Sequence, residues 1–346
     1  MLVRCRFSAT LVLSLLLLFA SASEVVADDP VVFEPGVVLM DGAAVLDAGG
    51  YVSPALADWN EDGLIDLIVG ARETVGPDSI ATVRVYLNQG TASDPVFNGF
   101  TYAQSLGVDL ELDPGSDLGL SPRILHWDDD GKKDMLIGKS DGTILVFRNV
   151  GTNDAPAFDG GTPVQADGSD IDVGLRAMPE VVDWDEDGDN DLIVGAYDGY
   201  VRYYQNNGSL YAPAYAAAQF IQDGGADLLE TDNRSAVAVA DLNRDGNKDL
   251  LVGTTYDPLH VYYNQGTNAN PVFDGYSQVM ADGEPIDPAA SRIRPFIGDF
   301  NGDGVPDILL GDSTGQITVY YGVPEPCSLS VIALGGLAML RRRRNR

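Results

Sequence analysis

Oxygen-bearing side chains recur at a fixed spacing in the segment 183–191. Aspartates occupy positions 1, 3, 5 and 9 of these nine residues, and Gly188 occupies position 6. Ca²⁺ binds about six to eight oxygen atoms, and carboxylates at alternate positions of a short loop can turn toward one centre. Glycine at position 6 permits the sharp turn that brings them together. The spacing therefore predicts a calcium loop in which position 7 adds its backbone carbonyl.

The same pattern occurs five times in the 346 residues. Loops 1 to 5 span 58–66, 126–134, 183–191, 241–249 and 299–307. Their starts are 57 or 58 residues apart, except for a first interval of 68. The alternative for any single loop is a polar turn, since Asp and Asn favour turns through local hydrogen bonds. That preference does not explain fixed offsets repeated in phase, so metal binding is the stronger interpretation.

An apolar strand follows every loop at once and ends in glycine. The five runs are 67–69, 135–137, 192–194, 250–252 and 308–310. This excludes an EF-hand, which needs a glutamate at position 12 and a helix after the loop. Continuous apolar runs suit inner strands covered on both faces. A third, alternating strand and a fourth part with an Asp-Gly motif complete each repeat, and this period predicts propeller blades.

The two ends of the repeat region predict how the units assemble. The last copy stops at Gly322 after its third strand, and the missing fourth part lies near the start of the chain, at Asp41 and Gly42. The N-terminal segment should complete this blade, because closure removes exposed sheet edges. We predict an all-β fold, a single five-bladed β-propeller with four-stranded blades over residues 28–322, closed by the N-terminal segment. Blades 1 to 5 carry loops 1 to 5.

The loop pattern D-x-[DN]-x-D-G-x-x-D before an apolar strand resembles the FG-GAP/VCBS repeat family, which includes the integrin α-subunit propeller. The resemblance covers roughly residues 30–322. It implies that the side chains at positions 1, 3, 5 and 9 bind Ca²⁺ together with the carbonyl of position 7. The candidate ligands are Asp58, Asn60, Asp62, Leu64 and Asp66; Asp128, Asp130 and Asp134; Asp183, Asp185, Asp187, Asp189 and Asp191; Asp241, Asn243, Asp245, Asn247 and Asp249; and Asp299, Asn301, Asp303, Val305 and Asp307.

Loop 2 departs from the pattern. His126 stands at position 1, and Lys132 and Lys133 stand at positions 7 and 8. Imidazole is a poor Ca²⁺ ligand, and two ammonium groups oppose a cation. We therefore expect four well-formed calcium loops and a fifth, 126–134, that is weak or empty.

Two further features repeat or vary between the copies. Position 2 is bulky in every loop, and the residues are Trp59, Trp127, Trp184, Leu242 and Phe300. We interpret them as plugs packed between blades, with a sugar-stacking platform as the alternative. The interval between loops 1 and 2 is about ten residues longer than the others, and the additional residues lie in 72–81 and around 111–119. We expect these segments to be loops that project from one face and carry function.

The composition restricts the function classes. The net charge is −31, with 52 acidic against 21 basic residues, so binding to the phosphate backbone of nucleic acids is not expected. The cysteines, Cys5 and Cys327, both lie in segments that we expect to be removed or membrane-bound. No disulfide is therefore predicted in the propeller, although we expect it to be exported.

The N-terminal residues 1–27 have the layout of a secretory signal peptide. Arg4 and Arg6 precede an apolar run over 11–20, and small residues provide cleavage sites after Ala22 or Ala27. The run is too short to span a bilayer. A buried core helix is the alternative.

Residues 323–346 combine Pro324-Glu325-Pro326, an apolar stretch over 327–340 and an arginine cluster over 341–344. This order resembles the PEP-CTERM sorting tail of Gram-negative bacteria. The resemblance implies recognition and cleavage at the inner membrane and a link to exopolysaccharide or surface matrix. A simple C-terminal anchor is the alternative, and the positive-inside rule places the arginines in the cytoplasm in both cases.

These features predict an exported, calcium-binding and non-catalytic module for adhesion or ligand binding, with a polysaccharide or surface protein as its ligand. A polysaccharide-acting enzyme and a purely structural matrix component are the alternatives. Four glutamates lie outside the loops without a recognisable catalytic spacing: Glu111, Glu180, Glu230 and Glu284. His126 and His260 are the histidines of the chain, which gives little support to a histidine-based triad or a zinc site. Membrane contact is expected only through the C-terminal segment.

Overall fold

The computed structural model describes residues 31–75, 78–115, 119–231, 234–287 and 291–323. Within these ranges the chain forms strands and turns and contains no helix, so no described helix could cross a membrane. The predicted signal peptide and the tail from residue 324 onward lie outside the described residues. The all-β prediction is confirmed.

The N-terminal segment and blade 1 supply the first ten strands. They are β1 (Val37–Val38), β2 (Met40–Asp41), β3 (Ala44–Val45), β4 (Gly50–Ala57), β5 (Asp66–Val75), β6 (Asp78–Tyr86), β7 (Thr101–Tyr102), β8 (Gln104–Ser105), β9 (Val108–Asp109) and β10 (Glu111–Leu112).

Blades 2 to 5 repeat the same order of long strands and short hairpin strands. Blade 2 and its hairpin comprise β11 (Ser121–Leu125), β12 (Asp134–Gly138), β13 (Ile144–Phe147), β14 (Thr162–Pro163), β15 (Gln165–Ala166) and β16 (Ser169–Asp170). Blade 3 and its hairpin comprise β17 (Met178–Val182), β18 (Asp191–Gly195), β19 (Val201–Tyr204), β20 (Gln219–Phe220), β21 (Gln222–Asp223) and β22 (Ala226–Asp227). Blade 4 and its hairpin comprise β23 (Ala236–Ala240), β24 (Asp249–Gly253), β25 (His260–Tyr262), β26 (Ser277–Gln278), β27 (Met280–Ala281) and β28 (Glu284–Pro285). Blade 5 adds β29 (Arg294–Gly298), β30 (Asp307–Gly311) and β31 (Ile317–Tyr320).

Each blade is an antiparallel sheet with its strands in sequence order. Blades 2, 3 and 4 run β11 to β14, β17 to β20 and β23 to β26. Blade 5 runs β29, β30, β31 and then β1 from the other end of the chain. Val37 pairs with Val319, and Phe33 bridges Gly322. The predicted closure by the N-terminal segment is confirmed.

The first strands of the blades surround the axis of the ring. β4, β11, β17, β23 and β29 each contact the first strand of the next blade, and β29 contacts β4 to complete the circle. The second strands β12, β18, β24 and β30 are buried at all five positions. The apolar runs after the loops are therefore covered on both faces, as predicted, while the strands next to the axis are the first strands.

The Asp-Gly motifs, with Leu106-Gly107 in their place in blade 1, form two-stranded hairpins outside the blade sheets. Each hairpin makes a parallel bridge to an aromatic residue of the following blade, and the pairs are Asp41–Phe97, Ser105–Phe158, Ala166–Tyr215, Asp223–Phe273 and Ala281–Phe33. All five aromatic residues are buried. The hairpins thus form a belt that links neighbouring blades around the whole ring.

The bulky residues at position 2 pack against this aromatic belt. Trp184 stacks on Phe273 with ring centroids 6.3 Å apart, and Phe300 stacks on Phe97 at 6.2 Å. Leu242 lies in one core cluster with Phe33. These contacts confirm that position 2 plugs the space between blades.

The additional residues of blade 1 extend its sheet. β5 and β6 continue their pairing as far as Val75 and Asp78, and the short strand β10 pairs with β6 beside β7. The expectation of a loop over 72–81 was wrong for the described part, because backbone pairing continues there in a longer hairpin. Among the described residues of 111–119 only Glu111 and Leu112 pair with β6, so a loop after them stays a prediction.

Candidate metal centres

All five loops occupy the same place, between the first and second strands of a blade. The residue before each loop pairs with position 9, as Ala57 does with Asp66 and Val182 with Asp191. The loops therefore lie on one rim of the ring, and the opposite ends of the first strands lie on the other.

Loops 1, 3, 4 and 5 share a left-handed backbone at position 4. The residues there are Glu61, Glu186, Arg244 and Gly302, with φ between 58° and 71°. Position 6 is a left-handed glycine in every loop. Because non-glycine residues rarely adopt positive φ, the shared conformation marks a common loop geometry. Asp129, at position 4 of loop 2, does not adopt it.

The regular loops are wrapped around their first carboxylate. In loop 1, Asp58 accepts hydrogen bonds from the amides of Asp62 at 3.1 Å and Gly63 at 2.9 Å. Loops 4 and 5 repeat these bonds with the same partners in register. The amide of position 7 donates to the carboxylate of position 5, as Leu64 does to Asp62 at 2.9 Å. The side chains at positions 1, 3 and 5 are therefore held close together.

Loop 3 shows most directly that its oxygens suit a metal. Carboxylate oxygens of Asp183, Asp185 and Asp187 lie within 4.8 Å of one another. Oxygens bound to one Ca²⁺ at about 2.3–2.6 Å can be at most about 5 Å apart, so this spacing fits. Asp183 Oδ1 and Asp185 Oδ1 are buried and have no hydrogen-bond partner within the described part of the chain. A buried carboxylate oxygen without a donor is costly, and a divalent cation would satisfy both.

Position 9 has a second role that the sequence did not suggest. Asp191 is fully buried and accepts backbone hydrogen bonds from Trp184 at 3.1 Å and Asn206 at 2.6 Å. Its counterparts Asp66, Asp134, Asp249 and Asp307 do the same with position 2 and the second residue after the third strand. Asp191 Oδ2 also accepts a hydrogen bond from the Tyr203 hydroxyl at 3.2 Å, while Oδ1 keeps a further lone pair. Metal ligation at position 9 therefore stays a prediction beside this stapling role.

Burial dominates the electrostatics of position 9. It raises the pKa of Asp191, Asp249 and Asp307 to about 6, against the opposing effect of two amide donors. Burial also raises the pKa of Asp66 and Asp134. A nearby divalent cation would favour the charged form.

In loop 2, the protein's own cations lie next to the carboxylates. Oxygens of Asp128, Asp130 and Asp134 do converge within 4.8 Å. However, Arg148 Nε lies 3.1 Å from Asp128 Oδ2, and Lys132 Nζ lies 3.5 Å from Asp130 Oδ2. The carbonyl at position 7, which would ligate a metal, is 2.8 Å from His126 Nδ1. This arrangement supports the expectation that loop 2 binds calcium weakly or not at all.

The glutamates considered for catalysis have other partners or lie exposed. Glu180 is ion-paired with Arg123 at 2.9 Å near the axis, while Glu111 and Glu284 are exposed on short strands. Glu230 lies 3.2 Å from His260 Nδ1 and accepts a hydrogen bond from Tyr262 at 2.8 Å. Sequence reasoning missed this network, whose three members are almost fully buried. Burial makes it a structural link between blades 3 and 4.

The comparison with known families agrees with this geometry. A family described as FG-GAP-like repeat matches residues 183–252 and 241–310, which contain loops 3, 4 and 5. The chain carries FG-GAP-like repeats in a five-bladed β-propeller. Human integrin alpha-7 is 36% identical over 110 residues, which cover 28% of this chain and 9% of that protein. Human integrin alpha-6 is 25% identical over 155 residues, which cover 42% of this chain and 13% of that protein.

These relatives are much longer than the chain, which spans about a tenth of their length. Among solved structures, BBS1N in complex with ARL6DN is 10% identical and covers 87% of this chain and 99% of that chain, with a TM-score of 0.40. A likeness of this size is too low to support a conclusion. The FG-GAP-like repeats, the partial likeness to integrin alpha chains and the five-bladed ring agree with one another.

Proposed function

We propose that this FG-GAP propeller is a calcium-stabilised, non-catalytic binding module that acts at the cell surface or in the extracellular matrix. The observation that carries the calcium proposal is the pair of buried oxygens in loop 3, Asp183 Oδ1 and Asp185 Oδ1, which have no donor. The common geometry of loops 1, 4 and 5 extends the same proposal to them. The integrin alpha relatives favour a ligand-binding role over catalysis.

A groove beside loop 3 suits a polysaccharide ligand. It has a volume of about 420 Å³ and lies between blades 3 and 4, and its lining includes Trp184, Asp185, Tyr203, Gln205, Phe220 and Asn270. Phe220 is 40% exposed, so an aromatic ring is available for stacking beside amide groups that can bind hydroxyls.

The groove and the metal loop share a residue. Gln205 Nε2 donates to Asp185 Oδ2 at 2.8 Å, and Asp185 is a proposed calcium ligand. Calcium would therefore hold the wall of the groove in place, which makes ligand binding dependent on calcium.

From the two ends of the chain we propose that this module acts outside the cell. The signal peptide over 1–27 would direct export, and the PEP-CTERM-like tail over 323–346 would engage sorting machinery in the membrane. Both proposals rest on the sequence features described above. They agree with a ligand in the exopolysaccharide matrix or on a surface protein.

A glycan array probed with calcium and then with chelator tests this function. We expect calcium-dependent binding of one glycan class, and Phe220→Ala should weaken it about three- to tenfold, the usual value of one aromatic contact. Asp170→Ala, an exposed aspartate outside the loops, is the matched control. Self-association without glycan binding would favour a structural matrix component, and the release of reducing ends would indicate an enzyme.

A further inference from the structure

Arginines gather at the end of the axis opposite the calcium loops. The position seven residues before each loop holds Arg176, Arg234 and Arg292 in blades 3, 4 and 5, and Tyr51 in blade 1. Arg294 begins β29, the first strand of blade 5. These residues stand at the starts of the strands that surround the axis. In a chain with a net charge of −31, such a basic site is unexpected.

Three guanidinium groups surround one aromatic ring at this place. The guanidinium carbons of Arg72, Arg292 and Arg294 lie 6.0, 5.0 and 6.0 Å from the centroid of Tyr51. Arg292 also donates a hydrogen bond to the Tyr51 hydroxyl at 2.7 Å. Cation–π contacts offset part of the repulsion, but the neutral ring of Tyr51 does not cancel the charge of Arg294.

Arg294 is the member whose state needs an explanation. It is 1% exposed, and its Nε, Nη1 and Nη2 atoms have no hydrogen-bond partner among the described residues. Burial, and then repulsion by Arg176 and Arg292, lower its pKa to about 9. Asp312 opposes this shift, but its Oδ1 already accepts bonds from the amide and hydroxyl of Thr314. A buried guanidinium without an acceptor is costly.

The backbone at this place is also strained. Tyr51, Arg176 and Arg292 have φ of 55°, 62° and 65°. Large side chains rarely occupy the left-handed region, where glycine would be the easier choice. Strain of this kind persists where the surrounding structure requires it, and it clusters at ligand sites. Their side chains are therefore held at the axis in spite of an unfavourable backbone.

We propose that Arg294, with Arg292 and Arg176, binds an oxyanion at the end of the axis opposite the calcium loops. The guanidinium fork of arginine matches the geometry of carboxylate and sulfate groups. The ligand would be the acidic group of a uronate or of a sulfated sugar, which share this chemistry. An anion there would satisfy Arg294 and reduce the repulsion among its neighbours. The site lies away from the calcium loops and does not require them, while the choice of a sugar acid rests on the polysaccharide ligand proposed above.

Thermal melting with added anions tests the proposal. Calcium-saturated protein is melted with sodium sulfate or sodium glucuronate and compared with sodium chloride at equal ionic strength. At about ten times the dissociation constant, the specific anion should raise Tm by about 3 °C more than chloride. A larger shift with sulfate indicates a sulfated ligand, and a larger shift with glucuronate indicates a uronate.

Two variants of Arg294 make the test specific. Arg294→Met removes the charge and should abolish the anion-dependent shift without lowering Tm in chloride, because a buried charge is removed. Arg294→Lys keeps the charge but loses the planar fork, and should weaken anion binding about tenfold or more. Arg148→Met, on the opposite rim, is the matched control and should keep the full shift.

The proposal is overturned if neither anion exceeds chloride in the wild-type protein, or if the shift survives in Arg294→Met. The calcium-dependent rise in Tm is measured separately in each variant. Loss of that rise alone counts against the calcium proposal, and loss of the anion shift alone counts against the arginine site.

Discussion

The two roles of the loop aspartates can be separated by comparing position 9 with position 5 in loop 3. Asp191→Ala removes the acceptor of two buried amides, those of Trp184 and Asn206. An unsatisfied buried amide costs about 1–3 kcal/mol, which gives about 2–6 kcal/mol for the pair. Burial also raises the pKa of Asp191 to about 6, so losing its charge offsets part of this cost at pH 7. We expect a loss of about 2–4 kcal/mol in the absence of calcium.

Asp187→Ala should behave differently. Asp187 is exposed and accepts one amide hydrogen bond, from Asp189 at 3.0 Å, so its loss should cost only about 0.5 kcal/mol in chelator. Denaturant unfolding in chelator measures both values. In calcium, Asp187→Ala should lose the stabilisation from loop 3, about 2.7 kcal/mol at a hundredfold excess over the dissociation constant. Equal losses for the two variants in chelator would refute the stapling role of position 9.

Three further outcomes follow from the same structure. The double substitution His126→Asp and Lys132→Ala in loop 2 should add one bound calcium per chain. If the wild-type loop 2 binds calcium at micromolar concentrations as the other loops do, the prediction of weak binding there is wrong. Calcium affinity measured by titration should fall as the pH is lowered through about 6. Burial raises the pKa of the position-9 aspartates to about 6 in three blades, so near this pH they take up protons that compete with the metal. In chelator these groups affect the free energy of unfolding in the opposite direction. Because their pKa is raised in the folded state, the stability that they contribute is lost as the pH rises from about 4 to about 6. Phe33→Ala should lower the free energy of unfolding by about 3–5 kcal/mol, because Phe33 is buried where the N-terminal segment closes the ring. Val32→Ala, at an exposed neighbour, is the control and should lower it by less than about 0.5 kcal/mol. Equal effects in denaturant unfolding would argue against closure at Phe33.

The fold could be predicted because the same loop-and-strand pattern recurs at a nearly constant spacing. One loop could be a polar turn, but five starts with a nearly constant spacing define the blade. The position of Gly322 and the motif at Asp41 predicted the pairing of β1 with β31. The same regularity predicted that the residue at position 2 packs between blades, and Trp184 and Phe300 do fill equivalent spaces there.

The remaining features depend on contacts between segments that are distant in the sequence. The bonds of Asp191 to Trp184 and Asn206 join the start of the loop to a residue just beyond the third strand, and the spacing of residues within the loop does not predict them. Glu230 meets His260 through the packing of blades 3 and 4, and no local pattern encodes this. The arginines at the axis are visible in the sequence, because Arg176, Arg234 and Arg292 follow one another at intervals of 58 residues. Only the closed ring brings them to the same end of the axis.

The number of calcium ions bound per chain tests the central claim most directly. Equilibrium dialysis of the metal-free protein against micromolar calcium should give four ions per chain, together with a rise in Tm. Asp187→Ala should reduce the number to three. If the folded protein retains no calcium, and its melting curve is the same in calcium and in chelator, the account of a calcium-stabilised propeller is contradicted.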